Sequence, residues 1–358
     1  MIKLSLLKIL YLGLRKSRFW NITDPRGSNY IYKLSCALRH LTPATSLSRV
    51  ERSMERFGVR TPLVILSLLL FSPVVVHGWG EDGHVSVCRI AQARLSEAAA
   101  AAVKKLLPES ANEDLASLCL WPDLIRRQPE YLWSASLHFV NTPGVCNYDY
   151  SRDCKDVYGE KERCIVAAIN NYTTQLLTYD KPNSQYNLTE ALLFLSHFFG
   201  DIHQPLHCGF VSDKGGNAIR VHWYTKETNL HRVWDDDIIG VSEERTYNSV
   251  QGFVDAIQKN ITGEWADEVV AWETCVGNKT TCPDTYASES VKSACNWAYK
   301  GVSQGSKLAD EYYYTRSPIV NLRIAQGGVR LAATLNRIFG EKQTEPLAVS
   351  GENKAVSI

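Results

Sequence analysis

The sequence predicts a mainly helical fold with a few short strands, built as one domain and linked by disulfides. Three observations predict it. Apolar residues recur every three to four positions over most of the chain after Gly78, strand-like alternation is confined to one short run, and nine cysteines follow Gly78. No linker rich in serine or glycine and no repeat of fixed period interrupts this region, so we expect one domain at residues 79–340.

The helices follow from the apolar period. Residues 84–107 predict one long helix that stops at Pro108. The same pattern predicts helices at 161–179 and 189–203, the second with Thr189 as its N-cap. Further helices are expected at 228–238, 247–260, 264–275, 286–312 and 318–339.

The strand candidate and the two ends of the chain do not show the apolar period of a helix. The run 217–225 alternates apolar and polar residues after a Gly-Gly pair, which predicts a strand. The tail 341–358 is polar and aperiodic, so we expect it to be disordered or trimmed. The leader 1–53 is an alternative start, an artefact of the gene model or a separate targeting segment.

A signal peptide is expected at residues 54–78. The apolar run 61–78 is shorter than the roughly 20 residues of a membrane span, and two arginines precede it. Small residues before Trp79 fit cleavage after Gly78, although a signal anchor that stays attached is the alternative. The sequons at Asn171, Asn187, Asn260 and Asn278 also fit a glycoprotein that is secreted or vacuolar.

Charge excludes one class of function. Residues 1–78 hold twelve Lys/Arg and three Asp/Glu, which leaves 27 basic and 35 acidic residues in the rest of the chain. A broad basic patch for duplex DNA is therefore excluded in the acidic domain. If this domain binds nucleic acid, bound cations must supply the attraction.

Histidine and aspartate recur at helical spacing. His197 precedes Asp201 by four residues, and His231 precedes Asp235 by four, so each pair lies on one helix face. One such pair alone is more often an ion pair at the surface. Two pairs, with His207 nearby and with apolar neighbours that would penalise unpaired polar groups, favour a site for Zn²⁺.

The motifs in order resemble a known family. They are WGEDGH, WPD, SLHFV, HFFGDIHQPLH, GGN and NLHRVWD, and the likeness extends from Trp79 to about residue 340. The chain resembles the zinc-dependent single-strand nucleases, namely the fungal S-one and P-one enzymes, and most of all the plant type I bifunctional nucleases. Bacterial zinc phospholipase C is a more distant relative. The resemblance implies the helical fold of this phospholipase C and nuclease group, with a cleft that holds three zinc ions.

The resemblance also implies a ligand set. The first zinc would be held by Asp123, His138, His197 and Asp201. The second would be held by His207, His231 and Asp235. The third would be held by His84, by Asp201 as a bridge, and by the α-amino group and carbonyl oxygen of Trp79 once it is the first residue. Calcium in place of some zinc is left open, and His203 and His222 are expected to be structural.

Further roles come from the same resemblance. Asp201 would bridge two zinc ions that hold the attacking hydroxide, and Asp123 would orient it. Arg126 would neutralise charge on the phosphate; the alternative for Arg126 is a solvated helix arginine. Phe139 would stack on a base, or else pack in the core, and Asn141 stands where fungal relatives carry an Asp that binds the base. Asn217, with Gly215 and Gly216, is expected at the edge of the cleft.

The implied cysteine pairs are Cys88–Cys119, Cys146–Cys295, Cys154–Cys164 and Cys275–Cys282, which leaves Cys208 as the odd thiol.

The implied function is endonuclease cleavage of single-stranded DNA and RNA to 5′-phosphate products, together with 3′-nucleotidase activity, by a monomer without a membrane anchor. Two alternatives stay open: a phosphodiesterase of the phospholipase C kind, and a zinc-binding glycoprotein without catalysis.

Overall fold

Amphipathic helices make up most of residues 79–340, the part of the chain that the computed structural model describes. The mainly helical fold class is therefore confirmed. The expected leader (1–53), signal peptide (54–78) and tail (341–358) lie outside the described residues and remain predictions. Within 79–340, no helix combines the length and the apolar character that crossing a bilayer requires.

The α-helices, in chain order, are α1 Glu81–Gln92, α2 Glu97–Leu106, α3 Trp121–Ile125, α4 Tyr150–Asp153, α5 Ile165–Leu176, α6 Leu188–His203, α7 Leu230–Arg232, α8 Ile238–Ser242, α9 Val250–Thr262, α10 Ala266–Glu273, α11 Pro283–Ser293 and α12 Asp310–Phe339. Segments of 3₁₀ helix are Glu109–Ala111, Leu115–Leu118, Pro129–His138, Pro205–Cys208, Val211–Asp213 and Val276–Asn278. π-Helical turns are Val233–Asp237, Glu243–Tyr247 and Ala294–Ala298.

A small sheet lies beside these helices. Its strands are β1 Arg220–Trp223, β2 Lys226–Asn229 and β3 Lys307–Leu308, in the order β2-β1-β3. β1 pairs antiparallel with β2 and parallel with β3. The predicted strand at 217–225 thus exists, but it is shorter than predicted.

The first predicted helix, 84–107, is two helices. α1 ends at Gln92, and α2 begins after Ser96, whose hydroxyl accepts a hydrogen bond from the Ala99 N–H at 3.3 Å. A serine side chain that caps a new helix offers the backbone an alternative to continuing the old one. The apolar period runs through this break, so periodicity alone could not find it.

The N-cap of α6 is also corrected. Asn187, not Thr189, accepts from the Glu190 N–H at 3.2 Å. The Thr189 hydroxyl instead donates to the carbonyl of Leu106 at 2.7 Å. The choice between two good capping residues is therefore made by a tertiary contact with the end of α2.

The predicted helices 286–312 and 318–339 are divided at a different place. The chain leaves helix after Ala298 and passes through Gly301 and Gly305, both at positive φ, before α12 begins. α12 then continues through Pro318. Because Pro318 and Tyr314 are exposed, water can satisfy the Tyr314 carbonyl that loses its helical partner.

α6 forms the centre of the core. Its residues from Ala191 to His203 are buried, and it packs against α1, α5, α11 and α12. Four disulfides support this core, and their partners are those that the resemblance implied: Cys88–Cys119, Cys146–Cys295, Cys154–Cys164 and Cys275–Cys282. Cys208 is free and buried, and burial raises the pKa of its thiol to about 12.

The predicted glycosylation sites differ in exposure. Asn171 and Asn187 are exposed, and Asn260 is half-buried on α9. The side chain of Asn278 lies outside the described part. Their modification remains a prediction.

Candidate metal centre

Buried imidazoles and carboxylates from distant parts of the chain meet beside α6. α6 carries His197 and Asp201 one turn apart, and the residues that meet them come from α1, α3, the segment Pro129–His138, the segment Pro205–Cys208, α7 and the π-helical turn after α7. All of these side chains are buried: His84, Asp123, His138, His197, Asp201, His207, His231 and Asp235. The donors form three groups.

The first group is Asp123, His138 and His197. The Nε2 atom of His197 lies 3.1 Å from Nδ1 of His138 and 3.7 Å from Oδ1 of Asp123. The Nδ1 atom of His138 lies 3.6 Å from the same oxygen. Three donor atoms this close around one point suit a single tetrahedral ion.

Asp201 joins this group to the others. Its Oδ2 lies 2.9 Å from Nδ1 of His138 and 3.1 Å from Nε2 of His197. Its Oδ1 lies 3.3 Å from Nε2 of His84 and 3.6 Å from Nδ1 of His207. One carboxylate therefore faces four histidines, as a bridging ligand would.

The second group is His207, His231 and Asp235. Their donor atoms lie within 4.8 Å of one another. The Nε2 atom of His231 is 3.3 Å from Oδ2 of Asp235, and the rings of His207 and His231 stack with centroids 5.0 Å apart. The spacing of four residues places His231 and Asp235 on one face, as the sequence predicted, although the second residue lies in a π-helical turn.

The third group is His84, His197 and Asp201, so it shares His197 with the first group. A glycine makes room for His84. The ring of His84 stacks on that of His197 with centroids 3.8 Å apart. A Cβ added at Gly200 would lie 2.6 Å from Nδ1 of His84, so only glycine allows this approach. The motif HFFGD thus supplies both a carboxylate and the space beside it.

The backbone directly after Trp79 is bonded to the second group. The Trp79 side chain is fully buried, and the N–H of Gly80 donates to the carbonyl of Asp235 at 2.9 Å. The backbone of the first described residues is therefore fixed beside the second group. The implied chelate through the Trp79 α-amino group depends on cleavage after Gly78, which lies outside the described residues.

Backbone carbonyls fix the orientation of three histidines. The Nδ1–H groups of His197, His207 and His231 donate to the carbonyls of Cys119 (2.8 Å), His138 (2.6 Å) and Gly215 (2.5 Å). Because a carbonyl only accepts, each of these rings carries a proton on Nδ1, and Nε2 is the nitrogen that is left for a metal ion. This arrangement is usual for histidines that bind metal.

Burial lowers the pKa of two imidazoles in this centre. Burial lowers the pKa of His84 to about 4, with a further contribution from His197. Burial also lowers the pKa of His138 to about 4. These two imidazoles are therefore neutral at pH 7, which is the form that ligates metal.

The pKa values of the three carboxylates depend on burial and on the charges beside them. Burial raises the pKa of Asp201, but the surrounding histidines outweigh it and hold that pKa well below its usual range. The same balance lowers the pKa of Asp123, where Arg126 adds to the effect. For Asp235, burial raises the pKa well above its usual range, a shift that a bound cation would oppose.

The residues present fit divalent metal ions. Among residues 79–340, several buried donor atoms of this centre have no hydrogen-bond partner: both ring nitrogens of His84, both carboxylate oxygens of Asp123 and Oδ1 of Asp201. Leaving buried polar atoms unsatisfied costs about 1–3 kcal/mol each, and metal coordination would remove part of that cost. The donor set of imidazoles and carboxylates is one that zinc prefers.

The other predicted site residues lie around this centre. Arg126 is buried, with Nη2 3.3 Å from Oδ1 of Asp123. Phe139 is half-buried directly after His138, and Oδ1 of half-buried Asn141 has no hydrogen-bond partner within 79–340. Asn217 is buried, and its amide donates to the carbonyl of Lys214 at 2.9 Å, so its side chain serves the loop that carries Gly215.

His203 and His222 lie apart from the three groups. His203 donates from Nδ1 to the carbonyl of Phe199 at 2.7 Å and accepts from Arg330 at 3.0 Å. Nε2 of His222, on β1, lies 3.6 Å from Glu227. Gln204 was not assigned a role from the sequence, yet its buried amide contacts Asp235. A polar amide in the apolar stretch IHQPL was the signal that could have identified it.

Comparison with known proteins agrees with this geometry. Endonuclease 2 of Arabidopsis thaliana is 60% identical over 288 residues, which are 79% of this chain and 98% of that protein. Nuclease P1 of Penicillium citrinum is 33% identical over 278 residues, 74% of this chain and 99% of that protein. Nuclease S1 of Aspergillus oryzae is 30% identical over 284 residues, 75% of this chain and 94% of that protein. A family model described as S1/P1 nuclease matches residues 79–340, and the chain belongs to that family of nucleases.

Proposed function

We propose that this nuclease is a zinc-dependent endonuclease that cleaves single-stranded DNA and RNA to 5′-phosphate products and also acts as a 3′-nucleotidase. The observation that carries the proposal is the carboxylate of Asp201, buried among four histidines that belong to three donor groups. Such a constellation suits metal-assisted hydrolysis of a phosphate ester. The names of the relatives support a nuclease over a phospholipase.

Zinc is the ion that we assign to the three groups. The imidazole nitrogens favour Zn²⁺ over Ca²⁺, which prefers oxygen donors. When bound, the ions would polarise the phosphate and lower the pKa of a coordinated water. The first ion would be held by Asp123, His138, His197 and Asp201, the second by His207, His231 and Asp235, and the third by His84, Asp201 and the backbone of Trp79.

The chain's own residues orient the reaction. Asp123, with both oxygens free of hydrogen bonds within the described residues, would accept a proton from the attacking water and align it with phosphorus. Arg126, held beside Asp123, would neutralise the charge that develops on the phosphate oxygens. The burial of both side chains strengthens these interactions because it excludes water.

Single strands would be selected by stacking. Phe139 follows the ligand His138 directly, and a base can stack on an aromatic ring only after it leaves a duplex. Asn141 both donates and accepts, so its amide would tolerate different bases. Because stacking does not read the sugar, the same site would accept DNA and RNA.

The proposal includes the secretory pathway and a mature N-terminus at Trp79. The protein would be a secreted or vacuolar glycoprotein, active as a monomer.

A variant with one alanine before Trp79 should lose the third zinc and fall in activity by at least about tenfold, because an amide nitrogen replaces the α-amine. Metal counting and hydrolysis of denatured DNA measure this, and full activity of the extended protein would contradict the terminal chelate.

The function itself is tested with protein that begins at Trp79. Zinc is counted, and hydrolysis of denatured DNA, RNA, a 3′-nucleotide and a phosphatidylcholine vesicle is measured before and after removal of zinc by a chelator. We expect hydrolysis of the first three substrates, lost with zinc and restored by it, and loss in Asp201→Asn. Cleavage of the phospholipid alone, or hydrolysis that persists in zinc-free protein, would refute the proposal.

A further inference from the structure

Gln204 lies between two metal-binding residues of the sequence. It follows Asp201 by three residues and precedes His207 by three, at the point where α6 ends. Its side chain is fully buried, yet it belongs to none of the three donor groups. Burial of an amide requires partners for both its nitrogen and its oxygen.

One end of this amide contacts the second donor group, and the other end contacts the turn that leads to it. The Nε2–H donates to Oδ1 of Asp235 at 2.5 Å, and Oε1 accepts from the N–H of Leu206 at 2.5 Å. The backbone carbonyl of Gln204 also accepts from the N–H of His207 at 3.0 Å. One residue therefore holds the carboxylate of Asp235 and the turn that delivers His207.

The bond to Oδ1 has a directional consequence. With Oδ1 engaged by the amide, the other oxygen of Asp235, Oδ2, faces Nε2 of His231 at 3.3 Å. The carboxylate is thus fixed with one oxygen turned to a protein donor and one turned to the histidines. A ligand held in this way is preorganised, since its rotation is restricted before the ion binds.

We propose that Gln204 is a positioning residue for the metal ion of the His207–His231–Asp235 group, acting on Asp235 through Nε2 and on His207 through the turn at Leu206. This inference rests on the proposed function, because it requires that this group binds zinc. Gln204 does not touch the ion; it sets the direction of two of the three ligands.

Two substitutions separate these contacts. Gln204→Glu keeps the size of the side chain and an acceptor for the Leu206 N–H, but replaces the donor to Asp235 with a second acceptor. Gln204→Met is apolar, of similar length, and removes both bonds. The matched control is Gln251→Glu, because Gln251 makes the same kind of bond, from Nε2 to Oδ1 of Asp255 at 2.7 Å, on the exposed surface.

The experiment measures zinc in protein that begins at Trp79. Zinc per chain is counted after equilibration with a series of zinc buffers, and the melting temperature of the zinc-free form is recorded. We expect wild type and Gln251→Glu to hold zinc in all three groups. In Gln204→Glu and Gln204→Met, one zinc should bind about 10–100-fold more weakly, with the other two unchanged. The zinc-free form of Gln204→Met should still unfold cooperatively, at a melting temperature lowered by about 2–12 °C, because Asp235 and the Leu206 N–H lose a buried partner.

A double-mutant cycle completes the design. In an Asp235→Asn background, Gln204→Met should weaken zinc binding by less than it does in wild type, because the carboxylate that it positions is gone and only the contact through Leu206 to His207 is still lost. Unchanged affinity in both Gln204 variants would overturn the inference. Equal weakening of all three zinc ions, or a collapsed zinc-free fold in both variants, would make Gln204 a general structural residue and overturn it as well. Wild type without zinc would instead refute the proposed function.

Discussion

At the scale of single residues, the centre depends on how its buried carboxylates are shared. Asp201 faces four histidines, and Asp235 is divided between Gln204 and His231. The spacing of four residues predicted the pairs His197–Asp201 and His231–Asp235 from sequence. The meeting of Asp201 with residues of other elements was not predictable from spacing, because it depends on how α1 and the turn after α6 pack against α6.

A glycine substitution tests the room that His84 needs. Gly200→Ala favours helix by about 1 kcal/mol on propensity alone, yet its Cβ would lie 2.6 Å from Nδ1 of His84. We expect it to displace His84, to weaken the third zinc site and to lower hydrolysis of denatured DNA by at least about tenfold. Zinc counting and initial rates measure these effects.

Gly240 provides the matched control. It lies in α8 on the surface, and a Cβ there would meet no atom within 4 Å. Gly240→Ala should therefore leave zinc content and activity unchanged. If Gly200→Ala behaved like Gly240→Ala, the close packing of His84 would have no role in the site.

At the scale of elements, periodicity predicted helices and tertiary contacts decided where they end. α6 was predicted almost to the residue because ALLFLSHFFGD is apolar on nearly every side, as a central helix must be. The break between α1 and α2, the cap at Asn187 and the passage of α12 through Pro318 were not predicted. The break depends on the cap at Ser96, and the choice of Asn187 depends on the contact of Thr189 with Leu106. The passage through Pro318 depends on the exposure of that turn to water, and all three are set by packing.

Two buried arginines connect α12 to α11 through one acid. Glu289 accepts from Arg330 at 2.6 Å and from Arg323 at 2.9 Å, and Arg330 also donates to His203 at the end of α6. Although burial raises the pKa of Glu289, the two arginines outweigh it and lower that pKa below its usual value of 4.5. The ionised acid is therefore stabilised in the folded state, and this stabilisation is present above pH 4.5 and lost as the pH falls through the lower folded value.

Glu289→Gln should reduce the free energy of unfolding by about 2 kcal/mol at pH 7, because it leaves two buried arginines without their anion. The difference from wild type should be smaller at pH 3, because the unfolded chain takes up its proton below pH 4.5 and the advantage of the ionised acid declines from there. Urea unfolding at both pH values measures it, with exposed Glu264→Gln as the control. A difference of equal size at pH 7 and pH 3 would contradict the ion-pair explanation.

At the scale of the whole molecule, the distribution of charge indicates which groups would attract the phosphates of a substrate. The part of the chain after Gly78 holds more acidic than basic residues, so we expect no broad surface of lysine and arginine that attracts phosphates. Attraction would come instead from ions held in one buried centre and from Arg126. Of the four disulfides, Cys88–Cys119 links the helix of His84 to the residue whose carbonyl accepts from His197. The pairing of all four came from the family resemblance, since nine cysteines alone do not determine it.

This distribution of charge predicts a weak dependence on salt. Proteins that contact six to ten phosphates lose about 10³–10⁵ in affinity between 50 and 200 mM salt. Because few basic side chains would contact the strand here, we expect KM for denatured DNA to rise by less than about tenfold over that range. A rise of a thousandfold would indicate an extended basic surface that this account does not contain.

The most direct test of the central claim is a zinc-edge anomalous difference map from crystals of the protein that begins at Trp79. We expect three peaks: one among Asp123, His138 and His197, one among His207, His231 and Asp235, and one beside His84, with Asp201 contacting the first and the third. Ligand atoms should lie at about 2.0–2.2 Å from each peak. Active crystals with no peak at Asp201, or with zinc only at surface residues, would contradict it.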